Sequence, residues 1–189
     1  KMWVGNLDQD DWDKLLEATS RMMEAPLLID DQSAISPNHI RKVTRQALEA
    51  FPDLGLVIVD YLQLMQSNRR HNSREQEISE ISRNLKSISK EFNVPILALS
   101  QLNRDLERRA DKRPMMSDLR ESGALEQDSD LILFIYRDEF YNPESEDKNI
   151  AEIHLAKHRN GEVGICRLAF IGQYTKFANL ALGSDPAQP

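Results

Sequence analysis

Cysteine is almost missing from this chain. Cys166 is the one thiol in 189 residues. No internal disulfide can form, and no cysteine-based zinc site can be assembled. That usage fits a reducing, intracellular setting. Aromatic residues make up only 6%, which leaves little material for stacking on bases. No apolar run approaches the ~20 residues of a membrane-spanning helix. The sequence opens on Lys1 rather than on an initiating Met, and Lys1 to Gly5 lack the apolar stretch of a signal peptide. The opening reads as the start of a piece cut from a longer polypeptide. His39, His71, His154 and His158 show no metal-ligand spacing with Cys166. There is no G-x-S-x-G elbow and no visible Cys–His arrangement. The phosphate-cradling loop G-x-x-x-x-G-K-[ST] is also absent.

What is present suits one globular domain. Hydrophobic residues reach 40% and charged residues 29%, enough for a core and too apolar for a disordered chain. The net charge of -7 counts against a nucleic-acid partner when taken as a sum. Its distribution counts the other way. Asp8 to Asp31 holds eight acids and two bases, and Glu126 to Glu152 holds nine acids and two bases. Met65 to Leu125 holds twelve bases and nine acids. A locally positive middle can steer a polyanion, although solvated helix faces give the same pattern.

The periodicity predicts an amphipathic helix over 11–24 and a short strand at Leu27 to Asp30. Ser36-Pro37 then caps a helix whose stripe is Ile40, Val43, Ala47, Leu48 and Phe51. Leu56 to Asp60 is an apolar run ending in an acid, as in a buried parallel strand. Ser73 and Gln76 can form a capping box for a helix with Ile78, Ile81, Leu85, Ile88 and Phe92 inward. Val94 to Leu99 is a second apolar strand, ending at Ser100-Gln101. Ser117-Asp118 caps a short helix toward Gln127, and Leu131 to Tyr136 is a third buried strand. Asn160-Gly161 lies between two strands and is a strong hairpin signal. A last strand lies near Tyr174 to Leu180. Together these predict an α/β fold, mainly parallel, with an antiparallel C-terminal edge.

Ligands of such sheets bind beyond the carboxyl ends of the strands. Asp60 and Gln101 both lie there. A carboxylate fixed on a buried strand can support Mg²⁺ beside phosphates, as the Walker B acid does. Many other α/β strands also end in Asp. An amide at the next strand end can sense a γ-phosphate, or simply cap a loop. Lys157 and Arg159 lie two apart beside the Asn160-Gly161 turn, so they share one face. Such a hairpin can aim two cations at a neighbour's phosphates, or be an ordinary solvated turn.

Several longer segments then combine in order. They are Leu56-Val57-Ile58-Val59-Asp60-Tyr61-Leu62-Gln63-Leu64-Met65, Glu77 to Lys86, Ala98-Leu99-Ser100-Gln101-Leu102-Asn103-Arg104, Asp111 to Gly123, and Lys157-x-Arg159-Asn160-Gly161. This series resembles the bacterial replicative DNA helicases of the DnaB type, from about Trp3 to Leu180. The resemblance implies the later part of a RecA-like P-loop NTPase domain, lacking the Walker A strand and loop. On that basis residues 1–182 are a partial motor domain and 183–189 a disordered tail.

The resemblance further implies a homohexameric ring that hydrolyses ATP with Mg²⁺ between subunits. The ring moves 5′ to 3′ on single-stranded DNA in the cytoplasm, with a primase and a helicase loader as partners and no membrane attachment. Asp60 matches the Walker B acid, and Gln101 the glutamine linking γ-phosphate state to the DNA loops. Arg159 matches the arginine finger, with Lys157 as its companion. Arg120, Glu121 and Gly123 match the loop holding the DNA backbone. Arg69, Arg70 and Arg74 are weaker candidates on a second channel loop. Tyr61 follows Asp60 where a catalytic Glu could stand, so the resemblance puts the base on an upstream strand. The chain alone is therefore expected not to bind or hydrolyse ATP. Rival readings are a RecA-like recombination or repair ATPase, and a non-catalytic DNA-binding or interaction module.

Overall fold

The computed structural model describes residues 7–119 and 123–180. Helix α1 spans Gln9–Glu24. Asp8 and Asp11 form a reciprocal capping box at its start, with Asp11 N donating to Asp8 Oδ1 at 2.9 Å. The predicted strand at Leu27 to Asp30 does not form, and this stretch is coil with no strand beside it among the described residues. A strand exists through its ladder, and no described strand lies alongside to complete one.

Helix α2, Pro37–Ala50, starts as expected. Ser36 Oγ accepts from His39 N, and Pro37 occupies the first turn. Strand β1, Val57–Val59, leads through a 3₁₀ turn at Leu62–Leu64 and a polar loop to α3, Arg74–Phe92. Ser73 Oγ accepts from Gln76 N at the start of α3. Asn93 ends it in the left-handed region, at φ 53°. Strand β2, Ile96–Ala98, lies parallel to β1, with Val57 opposite Ile96 and Val59 opposite Ala98. This β1–α3–β2 unit is the parallel part of the α/β fold, two of the six described strands, in a sheet separate from the other four. Its core gathers Ile40, Val59, Leu62, Met65, Ile78, Ile81, Leu85 and Ile88.

Residues 102–119 contain two 3₁₀ segments, Arg104–Arg108 and Met116–Leu119. The expected helix from Ser117 therefore starts later, as α4 over Gly123–Asp128. Asp118 turns its carboxylate back to Met115 N at 2.8 Å rather than capping a helix. Leu125 of α4 joins the core under α3.

Strand β3, Leu131–Tyr136, is followed by the short helix α5, Asp138–Tyr141. Then come β4, Ile150–His158, β5, Gly164–Ile171, and β6, Lys176–Asn179. They form an antiparallel sheet in the order β3-β4-β5-β6. The hairpin and the final strand form as expected, but β4 ends at His158 and β5 begins at Gly164, so Asn160-Gly161 lies in a longer loop rather than a two-residue turn. Strand β3 differs in one respect. Ile132, Phe134 and Tyr136 are buried, while Leu131, Leu133 and Ile135 face outward and are exposed.

Candidate functional site

The β1 and β2 register sets the geometry of the first cluster. Val59 is paired with Ala98, so Asp60 and the Leu99-Ser100-Gln101 segment leave the sheet at the same end. The ladder continues past the strands, with Leu99 N donating to Val59 O and Leu62 N to Leu99 O, each at 2.9 Å. Asp60 is exposed and, among the described residues, its carboxylate has no hydrogen-bond or ion-pair partner. The Asp60–Tyr61 peptide is cis. No cluster of three or more His, Cys, Asp or Glu suited to a metal occurs among the described residues.

Gln63 organises this end. Its Oε1 accepts from Gln101 N at 3.2 Å, and its Nε2 donates to Ser100 Oγ at 3.0 Å and Gln101 O at 3.3 Å. One side-chain amide thus takes the place of a further ladder step and leaves the Gln101 side chain to point elsewhere. Gln63, Gln101, Leu102, Asn103, Arg104, Asp118 and Leu119 line a cavity of about 320 Å³. Lys157 and Arg159 do not line it.

Asp118 links this cavity to the chain leading toward Arg120. It is buried, accepts Arg109 Nη2 at 2.8 Å, and its carbonyl accepts Asn103 N at 3.0 Å. Sequence reasoning did not single out Gln63, and it read Asp118 only as a helix cap. The signal available was position: Gln63 lies three residues beyond the strand-end acid, and Asp118 lies inside a segment already noted.

Arg120 and Glu121 lie outside the described residues. Gly123 is the first residue of α4, and a Cβ built there meets nothing within 4 Å. Packing among the described residues does not call for glycine at that position. Arg69 and Arg70 are exposed on the loop before α3. Arg74 is committed to the fold. It donates to Gln63 O at 2.9 Å and Met65 O at 3.2 Å, and it pairs with Glu77. Ser67 N donates to Glu77 Oε1 at 2.9 Å, and this bond leads the effects that hold the Glu77 carboxyl below its ordinary value.

The hairpin cations form a second cluster, against α4. Lys157 Nζ donates to Glu126 O, and Arg159 Nη2 donates to Gln127 O at 3.2 Å. Arg159 Nη1 also pairs with Asp130 Oδ1 at 3.0 Å. The structure therefore brings Asp60 to Gln101, and Lys157 to Arg159, as two separate sets.

Comparison with known proteins places this geometry in context. Residues 1–179 match the family description "DnaB-like helicase C terminal domain". The chain is 51% identical over 186 residues to the replicative DNA helicase DnaB of Geobacillus stearothermophilus, covering 98% of this chain and 41% of that protein. It is 54% identical over 180 residues to the replicative DNA helicase DnaB of Pasteurella multocida, covering 95% and 38%. Among solved structures, a DnaB-like replicative helicase, from a structure describing its interactions with primase, superposes with a TM-score of 0.88 at 47% identity, over 93% of this chain and 42% of that one. The chain thus spans about two-fifths of the length of these curated relatives.

Proposed function

Because this chain belongs to the DnaB-like helicase C-terminal domain family, we propose that it is part of the ATP-driven motor of a replicative DNA helicase. One observation carries the reading: Asp60 and Gln101 leave two adjacent parallel strands at the same end. The identity to replicative helicases favours this over a recombination ATPase or a non-catalytic module.

In this reading Asp60 faces the metal side of a nucleotide. An exposed carboxylate with no competing cation among the described residues suits that task. It is a single carboxylate, which fits Mg²⁺ held mainly by phosphates and water. When bound near Asp60, Mg²⁺ would supply positive charge to offset that of the nucleotide's phosphates. Gln101 faces the γ-phosphate side and passes its state to the segment running from Leu102 through Asp118. Gln63 holds the Gln101 backbone still while its side chain responds. Arg159, with Lys157, reaches toward the nucleotide of an adjacent subunit in a homohexamer.

Arg120, Glu121 and Gly123 hold the backbone of single-stranded DNA, with Arg69 and Arg70 as further contacts. Arg74 contributes less, since its donors are engaged in the fold. Phosphate contacts read no bases, which suits a motor that must cross any sequence in its 5′ to 3′ course. This sequence carries no phosphate loop, so in this reading the motor's phosphate loop and catalytic base are supplied by residues other than these. The whole acts in the cytoplasm with a primase and a helicase loader. No helix among the described residues is long and apolar enough to cross a membrane.

The test is Arg159→Ala in the full-length helicase. DNA-stimulated ATP hydrolysis should fall by ~10³-fold or more, as for loss of an arginine finger. Nucleotide binding to a single subunit should remain nearly intact. Unchanged turnover would remove Arg159 from the site.

A further inference from the structure

Strand register makes Asp130 and Arg159 neighbours. Leu131 pairs with His158 at the end of the β3–β4 ladder, so the two residues face each other one step beyond it. Arg159 N donates to Asp130 O at 2.9 Å. The side chains repeat the pairing, Arg159 Nη1 to Asp130 Oδ1 at 3.0 Å. The other carboxylate oxygen of Asp130 accepts Lys86 Nζ from α3. The last turn of α4 supplies the remaining contacts, Gln127 O to Arg159 and Glu126 O to Lys157.

We propose that Asp130 is a positioning residue that sets the direction of the Arg159 guanidinium, with the C-terminal carbonyls of α4 as the second support. This rests on Arg159 acting as the finger. Arginine has five N–H donors in a rigid plane. Gln127 O accepts one of them, from Nη2, and the Asp130 carboxylate lies 3.0 Å from Nη1 as an ion pair; together they fix the direction of that plane and leave its other donors for a phosphate. The pair is half-exposed, at 48% for Arg159 and 55% for Asp130. Exposed ion pairs contribute only modestly to stability, and stability alone does not require the guanidinium to be held in one direction. Catalysis does, because a transferring phosphoryl group rewards donors already aimed at it.

The local charge is also consistent. Lys86, Lys157 and Arg159 surround one carboxylate, so the cluster stays positive toward a triphosphate. The Lys86 hydrogen bond holds the Asp130 carboxyl below its ordinary value, which keeps it ionised. Gly123, at the other end of α4, adjoins the proposed DNA loop. The helix that supports the finger is therefore the one that leaves that loop.

The experiment is a double-mutant cycle in the full-length helicase, reading kcat and KM for DNA-stimulated ATP hydrolysis. Asp130→Asn should lower kcat by about 10- to 100-fold, the scale of a misplaced catalytic group. KM for ATP should stay within about twofold, since a positioning group acts on the transition state. Added to Arg159→Ala, Asp130→Asn should cost nothing further. Lys86→Met, which frees Asp130 on its other side, should lower kcat with the same non-additivity. Wild-type kcat in Asp130→Asn would overturn the proposal. So would a loss that persists in full in the Arg159→Ala background, the mark of a general structural defect. If Arg159→Ala alone leaves turnover intact, the finger reading fails first, and the cycle reports that separately.

Discussion

At the scale of single residues, Glu152 shows how one carboxylate can organise a surface region. Arg113 donates to both of its oxygens, at 2.9 and 3.0 Å, and His154 Nε2 lies 2.6 Å from Oε2. The same guanidinium sits 4.7 Å from the centre of the Tyr136 ring. This ties the irregular 109–119 segment to β3 and β4. Burial, with a hydrogen bond to Asp138, pushes the Tyr136 phenol up to about 12. The Arg113 hydrogen bonds hold the Glu152 carboxyl below its ordinary 4.5, against the opposing effect of burial. A depressed carboxylate pKa stabilises the fold above the unfolded value, and that gain is lost as pH falls through the folded one. Glu152→Gln should therefore lower Tm near neutrality and reduce its pH dependence below about pH 4.5. Parallel Tm–pH curves for variant and wild type would exclude this role. Residue types alone did not reveal the network, because Arg113 and Glu152 lie 39 positions apart. Asp60, Gln101 and Arg159 were visible because each closes a recognisable local pattern. Gln63 and Asp130 were not, since their partners are set by the parallel and antiparallel registers.

At the scale of elements, the ends of helices were the most legible features. Ser36-Pro37 and Ser73 are where capping chemistry puts them. The C-terminus of α3 illustrates the physics. Asn93 adopts φ 53° and ψ 38°, and its N–H donates to Ser89 O. Asparagine enters this region readily, whereas a residue with an ordinary Cβ is strained. Asn93→Ala should destabilise by about 1 kcal/mol, and Asn93→Gly should be close to neutral. Urea midpoints for the two variants check this, and equal midpoints would contradict it. Strands were less legible than helices. Leu27 to Ile29 has strand-like residues but no ladder, and they stand exposed. A helix carries its hydrogen bonds within itself, while a strand needs a neighbour that local sequence cannot name.

At the scale of the whole molecule, large apolar faces remain uncovered. Trp12, Leu16, Met22 and Met23 are exposed on α1, which buries no residue. Ile58, Leu97 and Leu99 are exposed at the parallel pair, as is the outer face of β3. Exposed large apolar side chains grouped on one element in this way mark contact faces. With the relatives more than twice as long and no phosphate loop in this sequence, the 189-residue chain alone should show no ATP turnover. It should also enhance a hydrophobic dye more than an equimolar full-length helicase. Robust turnover, or equal dye signals, would overturn this.

The sequence by itself determined most of the α/β order of elements, the helix N-caps at Ser36 and Ser73, the place of the β4–β5 hairpin and the strand-end residues. Those features depend on backbone preferences and spacings within a few residues. Only the tertiary structure decided that Gln63 clamps Gln101, that Arg74 serves the fold, and that Asp130 and α4 hold Arg159. Each of those contacts depends on which strands and helices become neighbours, a choice made by burial of the shared core rather than by any local stretch of chain.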